Sequence, residues 1–292
     1  MQVHLVDGTY ELFRHHFGVP SHLDDDGVEV AAVRGVLGSV MMMMEQGATH
    51  VGVATDHVVE SFRNDLYPGY KTSAGMPPEL LEQFPLLEDG LEALGVAVWP
   101  MIEFEADDAL ATAAFVARAD PRVERALICT PDKDLAQCVV DPVVVQVDRR
   151  KDVTIDEAGV RERFGVAPHS ITSYLALVGD SADGFPGLPG WGAKSAATVL
   201  ARYEHVDLIP DDASTWDVTV RGAAKLAATL AAGREAAALF LDLATLRTTC
   251  DVGTVDDWEW TGPRPELTAI TERLGAANLL ARAARLVSTR LA

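Results

Sequence analysis

Glu105, Asp107 and Asp108 form a tight acidic group, Glu-Ala-Asp-Asp, and four more carboxylates recur in comparable settings along the chain: Asp7, Asp56, Asp132 and Asp134. Singly, each reads as helix decoration, because acidic side chains are favoured as N-caps and in the first helical turn. Brought together they need another account, since carboxylates packed without countercharge repel and raise one another's pKa. A cation must neutralise them. Oxygen donors with no His or Cys at ligand spacing point to hard ions, Mg2+ or Mn2+, rather than zinc. Two such ions about 4 Å apart can activate a water, stabilise a leaving oxygen and offset the charge of a phosphodiester during in-line displacement. Phosphodiester hydrolysis is the chemistry this pattern implies.

The elements that must position these acids are legible in the apolar pattern. Runs rich in Val, Leu and Ile at 2–6, 49–54, 96–99, 126–129 and 143–147 predict strands. Between them, 29–46, 79–94 and 105–119 carry apolar residues at spacings of three and four, which predicts helices, with Gly47 and Gly95 as C-terminal stops. The alternation predicts an α/β fold: a mostly parallel twisted sheet with flanking helices. Asp7, Asp56, Asp132 and Asp134 then follow strands, and Glu105–Asp108 begin a helix after another. All seven acids are therefore expected at the carboxyl edge of the sheet, where open α/β folds place their ligands.

The segment 57–78, with Pro68, Gly69, Gly75 and Pro77-Pro78, has neither period and is expected to be a long functional loop. Strand signals stop after about residue 154, and the remaining helical sequence is interrupted by a Gly/Pro-rich stretch at 184–192. Residues 1–154 are thus expected to form the α/β domain and residues 155–292 a helical lobe. The Met41–Met44 run reads as core filling.

A net charge of −20 argues against nucleic acid as a partner when taken alone, because nucleic-acid proteins usually carry a basic footprint. Carboxylates gathered for cations and a general surface bias such as Asp24-Asp25-Asp26 both contribute to it. Contact with DNA would then rest on a few placed Lys and Arg residues, bound metal and helix N-termini. Cys129, Cys138 and Cys250 lack the paired spacings of a zinc site or a disulfide framework and read as mostly buried thiols. Apolar runs are too short for a membrane span and the N-terminus lacks a secretory pattern, so a cytoplasmic protein with no membrane partner is expected.

At these same residues the sequence resembles the bacterial and phage 5′ nuclease family, PIN-like enzymes that include the DNA polymerase I exonuclease domain and the flap endonucleases. The resemblance is carried by Val6-Asp7-Gly8 with Phe13-Arg14, by Ser61-Phe62-Arg63 leading to Tyr67-Pro68-Gly69-Tyr70-Lys71, and by Glu105-Ala106-Asp107-Asp108. It continues through Thr130-Pro131-Asp132-Lys133-Asp134-Leu135, Gly179-Asp180-Ser181-Ala182-Asp183 and Pro186 to Ala196, all in family order. It is strong over about residues 2–205 and weak beyond, where Leu243–Arg247 carries it.

The resemblance implies a two-metal 5′-3′ exonuclease and 5′-flap endonuclease of DNA replication or repair. It adds Asp180 and Asp183 as metal ligands, completing nine acids; by themselves these two read as a turn signal beside Gly184 and Pro186. Their three-residue spacing puts them on one helical face, if the helix persists through them. Lys71 is implied as the residue that contacts the scissile phosphate, and Arg14, two helical turns after Asp7, as a second cation at the same mouth. Arg63 and Tyr70 are implied to place substrate, Tyr70 by stacking on a terminal base.

Residues of about 170–205 resemble the family's helix-three-turn-helix. There Gly187, Gly190, Gly192, Lys194 and Ser195 are implied to hold duplex DNA, with a monovalent ion such as K+ bound by backbone carbonyls. A monomer is expected, acting on DNA with 5′ ends or flaps alone or with a DNA polymerase in trans. The chain departs from the family where Thr72, Ser73 and Ala74 follow Lys71 in place of a further arginine, at Gly184 and at Trp191. A non-catalytic branched-DNA-binding protein would not need all nine acids and Lys71. A PIN-type ribonuclease would share the acidic core without the glycine turn.

Overall fold

The computed structural model describes residues 1–290; Leu291 and Ala292, the last two residues of the expected helical lobe, lie outside them. The elements run β1 (Gln2–Asp7), α1 (Gly8–Gly18), α2 (Ala31–Glu45), β2 (His50–Asp56), α3 (Phe62–Leu66), α4 (Pro78–Leu81), α5 (Gln83–Leu94), β3 (Ala97–Met101), α6 (Ala106–Ala119) and β4 (Arg125–Cys129). There follow β5 (Val144–Asp148), β6 (Val153–Ile155), α7 (Glu157–Phe164), α8 (Ile171–Val178), α9 (Ala193–Tyr203), α10 (Ala223–Ala232), α11 (Arg234–Ala244), α12 (Leu267–Arg273) and α13 (Ala277–Arg290). No helix of the described residues is long and apolar enough to cross a membrane. The chain forms two compact units, one of Met1–Val59, Ser73–Thr130 and Thr248–Ala292, the other of Glu60–Thr72 and Pro131–Arg247.

In the first unit the strands lie in the order β3-β2-β1-β4, each pair parallel. Parallel neighbours need a crossover, and the intervening helices provide it. Every residue of β2 is buried, as a strand covered on both faces should be. Thr55 donates its hydroxyl to Glu88 of α5, while the next residue, Asp56, accepts from the Ala106 amide of α6. Successive strand residues face opposite sides, so α5 and α6 cover opposite faces of the sheet.

Between sheet and helices lie Val6, Val33, Leu37, Val53, Leu87 and Leu91, all fully buried. Burial of each such side chain stabilises the unit by about 1.5–3 kcal/mol. Met41, Met43 and Met44 join this core as expected, and only Met42 of the run is exposed. The C-terminal segment belongs to the same unit because backbone bonds tie it there. Trp260 N donates to Thr49 O, Arg264 N to Ala93 O, and the Trp260 indole to Leu94 O, after which α12 and α13 pack on α5 and α2.

The second unit contains the antiparallel pair β5–β6 and helices α3 and α7 to α11 around Leu175, Phe185, Leu200 and Phe240. Two of its elements were not expected. Segment 57–78 is not all loop, because Ser61 Oγ accepts from Arg63 N and Asn64 Oδ1 accepts from Ser61 N, a capping box that starts α3. A five-residue helix and the three-residue β6 are both too short to show a period.

Candidate metal centre

In the first unit, five of the predicted acids gather at the carboxyl edge of the sheet. Asp7 ends β1 and caps α1, accepting from Tyr10 N at 2.8 Å through one oxygen and from the Thr130 hydroxyl at 2.9 Å through the other. Asp56 ends β2, and its Oδ1 accepts from Ala106 N at 2.8 Å. At the start of α6, the Asp108 carboxylate accepts from Glu105 N at 3.0 Å. The side chains of this motif therefore cap the helix at the sheet edge where the sequence leads one to expect metal ligands. Asp7, Asp56, Glu105 and Asp108 are buried and Asp107 is half-buried.

In the second unit, Asp132 and Asp134 lie in the turn and short 3-10 helix after residue 131. Asp132 is exposed and accepts from Asp134 N at 2.9 Å, while its carbonyl accepts from the Gln146 amide of β5. Asp180 and Asp183 come together differently from the expectation of one helical face. Helix α8 stops at Val178, and the two acids stand in a turn closed by Asp180 N to Phe185 O and Phe185 N to Asp180 O. Asp180 Oδ1 accepts from Ala182 N and Asp183 N, a turn preference of Asp that competes with helix. Among the described residues, the one group of three acids with ligand atoms all within 4.8 Å of one another is Asp134, Asp180 and Asp183, all buried. The first unit's five acids do not form such a group.

Two lysines meet these carboxylates. Lys133 Nζ lies 2.6 Å from Asp180 Oδ2, and Lys71 Nζ lies 3.2 Å from Asp183 Oδ1. Burial, and then the charges of Asp132, Asp183 and Asp180, push the Asp134 carboxyl well above the usual carboxylate range; Lys133 opposes this. Asp134 Oδ1 has no hydrogen-bond partner among the described residues.

A folded-state pKa raised above the unfolded value contributes stability that is present at low pH and lost as pH rises through the raised value. In EDTA, Asp134→Asn should match the wild type below about pH 4, where the carboxyl is protonated folded and unfolded alike, and become progressively the more stable as pH rises above that in thermal unfolding. A stability difference independent of pH would contradict it.

The predicted substrate residues divide into exposed and buried. Arg63 is 1% exposed, and its guanidinium donates to Leu243 O at 2.8 Å and Thr245 O at 3.3 Å, which ties the loop to the segment at the end of α11. Tyr70 is 4% exposed and belongs to the second unit's core. Lys71 remains partly exposed, with its amide bonded to Asp183 O and its carbonyl accepting from Asn64 Nδ2. Arg14, about a third exposed, pairs with Glu11 on its own helix and meets His15 at 2.9 Å.

In the turn between α8 and α9, Gly187 has φ 68°, and a Cβ there would lie 2.3 Å from Gly179 N. Only glycine fits. Gly184, a departure from the family, is equally constrained, since a Cβ would lie 2.2 Å from Gly69 O. Gly190 and Gly192 face open space, Ser195 Oγ bonds the Gly192 carbonyl, and Lys194 is exposed with no ion-pair partner among the described residues. Trp191 is buried, its indole donating to Leu226 O. Of the three cysteines only Cys129 is buried; Cys138 and Cys250 are half-buried, more open than expected.

The sequence reasoning assigned no role to three residues beside these acids. Lys133 is a lone cation between two aspartates, which is itself a signal. Thr130 holds Asp7, and Asn64 holds Lys71. Neither contact has a local sequence signature.

The chain matches two family models, described as the 5′-3′ exonuclease N-terminal resolvase-like domain over residues 2–165 and the 5′-3′ exonuclease C-terminal SAM fold over residues 166–266. It is 37% identical over 231 residues to the 5′-3′ exonuclease of Mycobacterium tuberculosis, covering 70% of this chain and 71% of that one. To DNA polymerase I of Pseudomonas aeruginosa it is 33% identical over 289 residues, 94% of this chain but 31% of the polymerase. The chain thus spans about a third of the length of the DNA polymerase I relatives it matches. A solved structure of the bacteriophage T5 flap endonuclease, a pseudo-enzyme–product complex with DNA and metal ions, has a TM-score of 0.65 at 19% identity, covering 99% of this chain and 98% of that one. At that identity the likeness is one of fold.

Proposed function

Because this chain belongs to the 5′-3′ exonuclease family, we propose that it hydrolyses DNA phosphodiesters from 5′ ends or at 5′ flaps, using two or more divalent ions held by its carboxylates. The observation that carries this reading is Asp134. It is 5% exposed, its Oδ1 is unpartnered, and three neighbouring acids disfavour its charge. A buried acid in that setting is costly unless a cation completes it, so the residues present fit a metal. Their donors are all oxygen, which favours Mg2+ or Mn2+.

Asp132, Asp134, Asp180 and Asp183 would hold metal in the second unit, and Asp7, Asp56, Glu105, Asp107 and Asp108 in the first. Bound ions supply an activated water and offset the charge of the phosphodiester. The rest falls to the chain's own groups. Lys71, fixed at its backbone by Asp183 and Asn64, offers an ammonium to the charge that develops on the phosphate. Arg14 is the second cation proposed to meet phosphate. Lys194, at the start of α9, and the open backbone at Gly190 and Gly192 would hold duplex without reading bases, with K+ as the ion bound there. The T5 enzyme's product complex with DNA and metal supports the same substrate class.

The test is cleavage of a labelled 5′-flap DNA by purified protein. Product should form with Mg2+ or Mn2+ and disappear with EDTA. An intact flap with either metal across about pH 7 to 9 would sink the catalytic reading.

A further inference from the structure

We propose that Lys133 is a built-in stand-in for metal: its ammonium occupies the cation position at Asp180 when no divalent ion is bound, and its displacement sets the metal affinity of the second unit's carboxylates. The inference rests on the metal-dependent reading above and assigns a positioning role to a residue that reading leaves unused.

Four observations carry it. Lys133 Nζ is 2.6 Å from Asp180 Oδ2, the shorter of the two lysine contacts in the cluster. Asp180 itself cannot swing away to follow the lysine, because its Oδ1 is held by Ala182 N and Asp183 N. Lys133 is about a third exposed where Asp180 is 2% exposed, so the ammonium has a path to solvent that the carboxylate lacks. Finally, two ammonium groups face the three clustered acids, and the oxygen left without a partner belongs to the third, Asp134.

The formal charge of those two ammonium groups equals that of one divalent ion. A metal that takes Asp180 Oδ2 as ligand must therefore break the Lys133 contact, and the energy of that contact is subtracted from binding. Lys71 differs, because its amide also bonds Asp183 O and keeps its backbone in place when the side chain lets go. Lys133 is the competitor whose removal leaves the acids in position.

The experiment compares Mn2+ binding to the full-length wild type and Lys133→Met by titration calorimetry, without DNA. Methionine keeps the apolar stem and removes the charge. The variant should bind Mn2+ about tenfold more tightly, and Lys133→Arg should return affinity towards the wild type. Equal or weaker binding by Lys133→Met would overturn the proposal. A second measurement avoids dependence on the variant's folding: amine acylation of wild-type Lys133, read by mass spectrometry, should rise several-fold when Mg2+ is added. Unchanged or reduced acylation would also overturn it. Failure of the functional reading looks different, as a wild type that neither binds Mn2+ nor cleaves a flap.

Discussion

Asp180→Asn is expected to lower flap cleavage at saturating DNA by about 10³-fold, or ~4 kcal/mol of transition-state stabilisation, in Mg2+ or Mn2+. The substitution is close to isosteric. The side-chain oxygen that accepts from Ala182 N and Asp183 N is retained, so the turn after α8 should stand, while loss of the Lys133 contact and relief of repulsion at Asp134 act in opposite directions on the metal-free melting temperature. What disappears is a buried negative charge in a group whose ligand atoms lie within 4.8 Å of one another. Steady-state cleavage of a 5′-flap substrate, with thermal unfolding in EDTA as the control, measures both halves. Activity within about tenfold of the wild type would remove Asp180 from the chemistry.

Lys71→Ala should reduce kcat by about 10²- to 10³-fold with a much smaller change in KM, the loss expected when a donor to developing charge is removed. Arg63→Ala should do the reverse. Its guanidinium is buried against the carbonyls of Leu243 and Thr245, so truncation leaves a cavity and unpaired acceptors, a loss of about 3 kcal/mol of stability with kcat largely kept below the melting transition. Cleavage kinetics and denaturant unfolding on the two variants decide the matter. The same loss pattern in both would mean that the two basic residues share one role.

The contrast between Lys71 and Arg63 marks how far the chain alone could be read. Both are isolated cations in a segment without period, and nothing near either in sequence separates them. They differ because Arg63 finds carbonyls 180 and 182 residues away, whereas Lys71 is held by Asn64, seven residues off, and by Asp183. The Asp180–Asp183 pair shows the same limit at short range. Its spacing fits a helical face, yet side-chain acceptance of backbone N–H groups made a turn.

What the sequence determined by itself was periodic or terminal. Alternating strand and helix signals placed the parallel sheet, and acids directly after strands or at the first turn of α6 came to its carboxyl edge, because chain direction alone decides which end of a parallel strand they occupy. Tertiary structure decided which three acids share a space, which lysines answer them, and that the last helices pack with the sheet. Those outcomes depend on burial and on partners far along the chain. A hydrophobic period states that a face will be covered, but it does not say by what.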